Sequence, residues 1–152
     1  LATRIFSDGT HAEVLWCDAP ASIRHPRLTT EDLASGRHYP AMNGKEVFKH
    51  AVTRMPEAVM AVLDEAGLSP PDIDLLVPHQ ANLRISQMVQ RRLGLPDERV
   101  FNNIQRYGNT TAATIPIALA EAVREGRLHP GDLLCLTAFG SGFTWGASLI
   151  RW

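Results

Sequence analysis

The sequence predicts an α/β fold: a mixed, mostly parallel sheet with packed helices, in the order βαβαβαββ. Three observations carry this. Short apolar runs bounded by turn residues alternate with stretches of helical periodicity. One run, Leu133-Leu134-Cys135-Leu136, is continuously apolar, as suits a strand covered on both faces. A glycine-rich link, Gly140-Ser141-Gly142, joins the last two strands and allows an antiparallel return.

Each element follows in order. Residues 2–6 read as a short strand, ended by the turn Ser7-Asp8-Gly9, and residues 13–17 as a second strand. Residues 18–43, with Pro20, Pro26, Gly36 and Pro40, read as a long loop of the kind that carries function. Helical spacing of Val47, Phe48, Ala51, Val52, Met55, Val59, Val62 and Leu63 predicts a helix over 44–66. Pro56 is expected to kink or divide it near Met55. Residues 73–77 are apolar and strand-like; residues 83–93 form a second helix, stopped by Gly94 and Pro96. Residues 99–101 read as a brief strand and 111–125 as an alanine-rich helix closed by Gly126. Two strands follow, over 132–137 and 143–150. There is no internal repeat and no low-complexity tract.

Composition narrows the function. A chain of 152 residues with 45% hydrophobic and 20% charged content suits one soluble globular domain. A formal charge of −1 argues against broad nucleic-acid binding, and no apolar run approaches the roughly 20 residues of a membrane span. The start at Leu1 has no leader pattern and opens on strand sequence, so the chain is expected to belong to something longer. Cys17 and Cys135 are not in a metal or dithiol spacing. Both read as buried, inert thiols compatible with a reducing cytoplasm.

Four elements carry chemistry. His79 stands where an apolar strand meets an amphipathic helix, and open α/β sheets bind ligands outside the carboxyl ends of their strands. Asn109, in Gly108-Asn109-Thr110, is by itself an ordinary cap for the alanine-rich helix. Yet a histidine and an asparagine aimed at one carbonyl oxygen can stabilise an enolate. The glycines of Phe139-Gly140-Ser141-Gly142-Phe143-Thr144-Trp145-Gly146 let backbone N–H groups approach a ligand, or simply form a tight hairpin. Arg84, Arg91 and Arg92 share one broad face of the second helix, either a solvated basic face or a dock for an acidic partner.

Taken together, His79-Gln80-Ala81-Asn82-Leu83-Arg84, then Gly108-Asn109-Thr110, then Ala138-Phe139-Gly140 through Gly146, are specific. In this order they resemble the C-terminal half of the 3-oxoacyl-(acyl-carrier-protein) synthase III family, which has the thiolase-like fold. The resemblance covers essentially the whole chain, including Ser7-Asp8-Gly9 and Met42-Asn43-Gly44-Lys45-Glu46-Val47-Phe48-Lys49.

The resemblance implies a decarboxylating condensing enzyme that joins a primer from a coenzyme A thioester to malonyl on acyl carrier protein. It implies that His79 and Asn109 hydrogen-bond the malonyl thioester oxygen as charge develops. Ser141 matches the oxyanion-hole position, often Gly or Ala in relatives, and Phe139 a residue packed against the nucleophile. Met42, Gly44, Phe48, Ala81 and Asn82 match the pantetheine tunnel; Arg84, Arg91 and Arg92 match carrier-protein docking positions. The nucleophilic cysteine matches neither Cys17 nor Cys135. Residues 1–11 are then expected to be the last strand of a missing N-terminal half, with 12–152 the C-terminal half-domain. The isolated chain is expected to be inactive. Its partners are expected to be that half, a coenzyme A thioester, acyl carrier protein and, as a homodimer, a second copy. No metal or other cofactor is implied, and the location is cytoplasmic. The alternatives are a related acyltransferase of a quinolone, polyketide or ester pathway, and a non-catalytic carrier-protein-binding module.

Overall fold

The computed structural model describes all 152 residues. Strand β1 (Ala2–Ser7) opens the chain. The Asp8 carboxylate accepts from the backbone and hydroxyl of Thr10, a cap at the start of 3₁₀ turns over Gly9–Val14 that are broken at His11. The strand expected over 13–17 therefore shrinks to β2 (Leu15–Trp16). Within the long excursion, Thr29 and Asp32 form a reciprocal capping box that nucleates α1 (Thr30–Ala34). A two-residue strand β3 (Ala41–Met42) pairs antiparallel with β2, outside the main sheet.

Helix α2 (Gly44–Ala66) is capped by Asn43 and ended by Gly67. Pro56 lies inside it without dividing it; the buried stripe from Ala51 to Leu63 holds both halves on the sheet. Strand β4 (Leu75–Pro78), α3 (Leu83–Leu93) and a short α4 (Ile104–Tyr107) come next. The strand expected over 99–101 is a single parallel bridge from Val100 to Leu76, because a 3₁₀ turn takes up Asp97–Arg99. The expected helix over 111–125 splits into a 3₁₀ turn, Thr111–Ala113, and α5 (Thr114–Arg124). Thr111, the first residue of that turn, has φ of +54°, outside helical geometry, so the α-helix cannot begin there and starts only at Thr114. Strands β5 (Leu133–Gly140) and β6 (Thr144–Arg151) complete the chain.

The main sheet has the order β1-β6-β5-β4. It is mixed: β4–β5 is parallel, and β5–β6 and β6–β1 are antiparallel. Parallel pairing is thus confined to the β4 side, because β2 left the sheet and Val100 adds only a bridge. The strand period of two sorts the core. Leu76, Leu133 and Cys135 face α2 and α3, while Leu75, Val77 and Leu134 face Ala118 and Ala122 of α5. That double cover explains the continuous apolar run in β5. The α5 layer stops short of β1, where Ile5 is 73% exposed.

Gly146 is fixed by a close approach. A Cβ there would lie 2.6 Å from the Arg4 carbonyl oxygen of the paired strand. Gly146→Ala is expected to push β1 from β6 and cost about 1–3 kcal/mol, as overpacking does. A thermal melt checks this: the midpoint falls by several degrees.

Candidate functional site

The carboxyl ends of β4 and β5, the start of α5 and the open face of β1 and β6 enclose a cleft of about 750 Å³. His79, Asn109, Phe139 and Ser141 all line it, with Thr3, Ile5, Leu136 and Ala138 as part of its floor.

His79 extends the parallel register by one step, its N–H donating to the Thr137 carbonyl at 2.8 Å. At this strand end the His79 side chain lines the cleft. Its Nδ1 lies 2.6 Å from the hydroxyl of Thr114, a buried residue in the first turn of α5. Nε2 is left to meet a ligand. Burial pushes the His79 imidazole below its ordinary 6.5, favouring the neutral ring. The unfolded chain takes up this proton first, so the stability that His79 contributes is present above about pH 6.5 and lost as pH falls toward the folded value. An NMR titration of the ring is expected to show a midpoint below 6.5; a midpoint at or above that value contradicts the effect of burial.

Asn109 does not cap the alanine-rich helix as its context suggests: Ala113 stands at the start of α5 and Thr110 at the start of the 3₁₀ turn, neither with a side-chain cap bond, and Asn109 instead closes a turn of its own. Its Oδ1 accepts from the Thr111 N–H at 2.9 Å. With the oxygen so engaged, the Nδ2 amide is the group free to donate. The cleft therefore combines a neutral imidazole with a primary amide, each anchored through its other polar atom. Two such donors suit an oxygen that gains negative charge.

Phe139 is buried and packs on Phe143 at 4.8 Å between ring centroids, while Ser141 is exposed at the turn between β5 and β6. Gly142 has φ of +130°, and a Cβ there would sit 2.6 Å from the Thr144 hydroxyl. The turn is thereby held to a glycine backbone that side-chain-bearing residues rarely adopt.

The remaining candidates lie outside this cleft. Met42 and Gly44 are exposed near the start of α2. Phe48 carries the Arg84 guanidinium over its ring at 5.6 Å, which joins the first turns of α2 and α3. Ala81 is half-buried, and Asn82 spends its Oδ1 as the cap of α3, accepting from the Arg84 N–H at 2.9 Å. Arg91 and Arg92 are exposed in the last turn of α3, a favourable place for cations.

Of the two thiols expected to be buried, Cys135 is, and burial pushes it up to about 12. Cys17 is instead exposed, because the shortened β2 ends before it; its thiol donates to the Ala19 and His38 carbonyls. Neither lines the cleft. No group of three or more His, Cys, Asp or Glu side chains is gathered to hold a metal, and no helix is long and apolar enough to cross a membrane. Sequence reasoning missed Thr114 and Gln80. The only local signal for Gln80 was a polar residue directly after the strand-end histidine, and for Thr114 there was none.

Residues 63–152 match the family model described as 3-Oxoacyl-[acyl-carrier-protein (ACP)] synthase III C terminal. The chain is 51% identical over its full length to beta-ketoacyl-[acyl-carrier-protein] synthase III of Desulfotalea psychrophila, covering 46% of that protein. It is 53% identical over 96% of its length to the Roseiflexus enzyme of the same name, covering 44% of it. Among solved structures, 3-oxoacyl-[acyl-carrier-protein] synthase III from Aquifex aeolicus superposes over the whole chain with a TM-score of 0.86 at 44% identity, with 44% of that chain covered. The chain thus spans under half the length of these relatives.

Proposed function

Because the chain belongs to the 3-oxoacyl-(acyl-carrier-protein) synthase III family, we propose that it is the decarboxylating half of a condensing enzyme that begins fatty-acid synthesis. The observation that carries this is the meeting of His79 and Asn109 in one cleft, each with one polar atom fixed by the chain and a donor left over.

In this reading the malonyl thioester, carried on acyl carrier protein, enters the cleft. The bond to its terminal carboxylate breaks, carbon dioxide leaves, and the electron pair moves to the α-carbon and thioester oxygen as an enolate. Nε2–H of His79 and Nδ2–H of Asn109 donate to that oxygen. Nδ1 of His79 then accepts from the Thr114 hydroxyl, which sets the tautomer. Neither donor has to give up its proton, so burial that keeps the ring neutral suits the step. The enolate carbon attacks the carbonyl carbon of an acyl group, derived from coenzyme A, on a cysteine of the preceding half; the new carbon–carbon bond forms, the acyl carbon–sulfur bond breaks and the cysteine leaves as thiolate. The backbone N–H at Ser141 serves the oxyanion of that acyl group, and Phe139 backs the nucleophile. Residues 1–11, which hold β1 and the start of the turn after it, belong with the preceding half, and 12–152 are the C-terminal half-domain.

Met42, Gly44, Phe48, Ala81 and Asn82 line the approach for pantetheine, and Arg84, Arg91 and Arg92 meet the acidic carrier protein. The thioesters are substrates and no cofactor enters the chemistry. The working form is a cytoplasmic homodimer of the two-half protein, and the isolated chain is inactive.

The test uses the full-length protein. Asn109→Ala is expected to lose carbon dioxide release from malonyl carrier protein while still accepting an acyl group from coenzyme A. Unchanged release defeats the reading.

A further inference from the structure

Helix α5 turns two polar side chains toward the interior, Thr114 and Glu121. They are seven residues apart, two turns along one face. Thr114 holds the His79 ring. Glu121 reaches the segment that carries Asn109. Its Oε2 accepts from Asn103 Nδ2 at 2.9 Å, and its Oε1 from the Tyr107 hydroxyl. Arg106 pairs with the same carboxylate at 2.9 Å and with Glu125 at 2.9 Å.

The start of that segment is tied elsewhere. The Asn103 and Ile104 N–H groups donate to Gln80 Oε1 at 3.0 and 3.2 Å. Gln80, buried directly after His79, uses its Nε2 on the Pro78 and Phe101 carbonyls. Gly108, the residue before Asn109, donates to the Ile104 carbonyl at 2.7 Å. Residues 103–108 are thus clamped between the chain beside His79 and the helix that holds His79.

Gln80, Asn103, Tyr107 and Glu121 do not line the cleft, so none touches a substrate there. A buried carboxylate is a poor way to gain stability, since apolar packing of similar volume often serves as well or better. It does, however, fix directional donors in place. The Tyr107 and Asn103 hydrogen bonds, with Arg106 beside them, hold the Glu121 carboxyl below the usual carboxylate range, so the clamp is ionised at neutral pH.

Resting on the enolate role proposed for Asn109, we infer that Glu121 is a positioning residue that, through Tyr107 and Asn103, sets the Asn109 amide opposite His79. Thr114 and Glu121 make α5 the ruler between the two donors.

The experiment compares Glu121→Gln, Tyr107→Phe and Asn109→Ala in the full-length protein. Glu121→Gln keeps the volume, and Glu125 still neutralises Arg106. Tyr107 is 46% exposed, so Tyr107→Phe reports on the clamp even where the buried variant folds poorly. Each of the two is expected to lower kcat for carbon dioxide release by on the order of tenfold, since small misplacements of a catalytic group are costly. KM for malonyl carrier protein, acyl transfer and the melting midpoint stay near wild type, and the double variant loses no more than the worse single one. Unchanged kcat in both variants overturns the inference. So does a parallel fall of release, acyl transfer and melting midpoint, which marks a merely structural carboxylate. Asn109→Ala separates the two levels. Full release in that variant defeats the enolate role and this inference with it; lost release there beside normal Glu121→Gln and Tyr107→Phe defeats this inference alone.

Discussion

His79→Ala in the full-length protein is expected to slow carbon dioxide release from malonyl carrier protein by about 10²–10³-fold, the cost of removing one preorganised oxyanion donor. The reason lies in how the donor is held. Its backbone is locked to Thr137, its Nδ1 to Thr114, and burial keeps the ring uncharged. The donor therefore pays no reorganisation when charge appears on the oxygen. Asn109 alone cannot replace it. Acyl transfer from coenzyme A is expected to stay within about threefold of wild type, because the oxyanion donor proposed for that step is the Ser141 backbone N–H and not the imidazole. Release and transfer rates, measured separately, check this. Equal losses in both would mean that His79 serves the nucleophile rather than the enolate.

The largest effect on stability is expected at Phe143. The ring is 1% exposed and packs against Phe139, His50 and His11 at centroid distances of 4.8, 5.1 and 5.3 Å. Its backbone is pinned by two bonds to Asp8, at 2.7 and 2.8 Å. Phe143→Ala removes the side chain that joins the β5–β6 turn to α2 and to the turn after β1. The surrounding backbone cannot collapse into the space, so the loss is expected to be about 3–5 kcal/mol. Denaturant unfolding measures it. A cost below about 1 kcal/mol would show that the site relaxes, against the close packing of interiors. The same change loosens the turn that carries Ser141, so the full-length Phe143→Ala protein that still folds is expected to transfer acyl groups slowly.

Much of this was legible because it was local. The apolar stripe of α2 and the apolar run in β5 each announce themselves within a few residues. The family was legible through three short motifs in order, and His79, Asn109, Phe139 and Ser141 do share a cleft. What stayed hidden was long-range or competitive. The second strand shrank because 3₁₀ turns on both sides of a break at His11 take up the chain as far as Val14, and no local pattern in the sequence marks them. The late start of α5 turned on the unusual φ of Thr111, which the alanine-rich pattern around it does not announce. Pro56 suggested a break that packing of the stripe around it overrode. Thr114 and Glu121 looked like ordinary helix residues, because their partners lie 35 and 18 residues away along the chain.

The central claim is that His79 and Asn109 act on one oxygen during decarboxylation. Its most direct test is release of labelled carbon dioxide from carboxyl-labelled malonyl carrier protein by the His79→Ala/Asn109→Ala double variant of the full-length protein. Release indistinguishable from that without enzyme, with acyl transfer preserved, is the predicted result. Release within about threefold of wild type, less than the loss of even one oxyanion donor should cost, would contradict it.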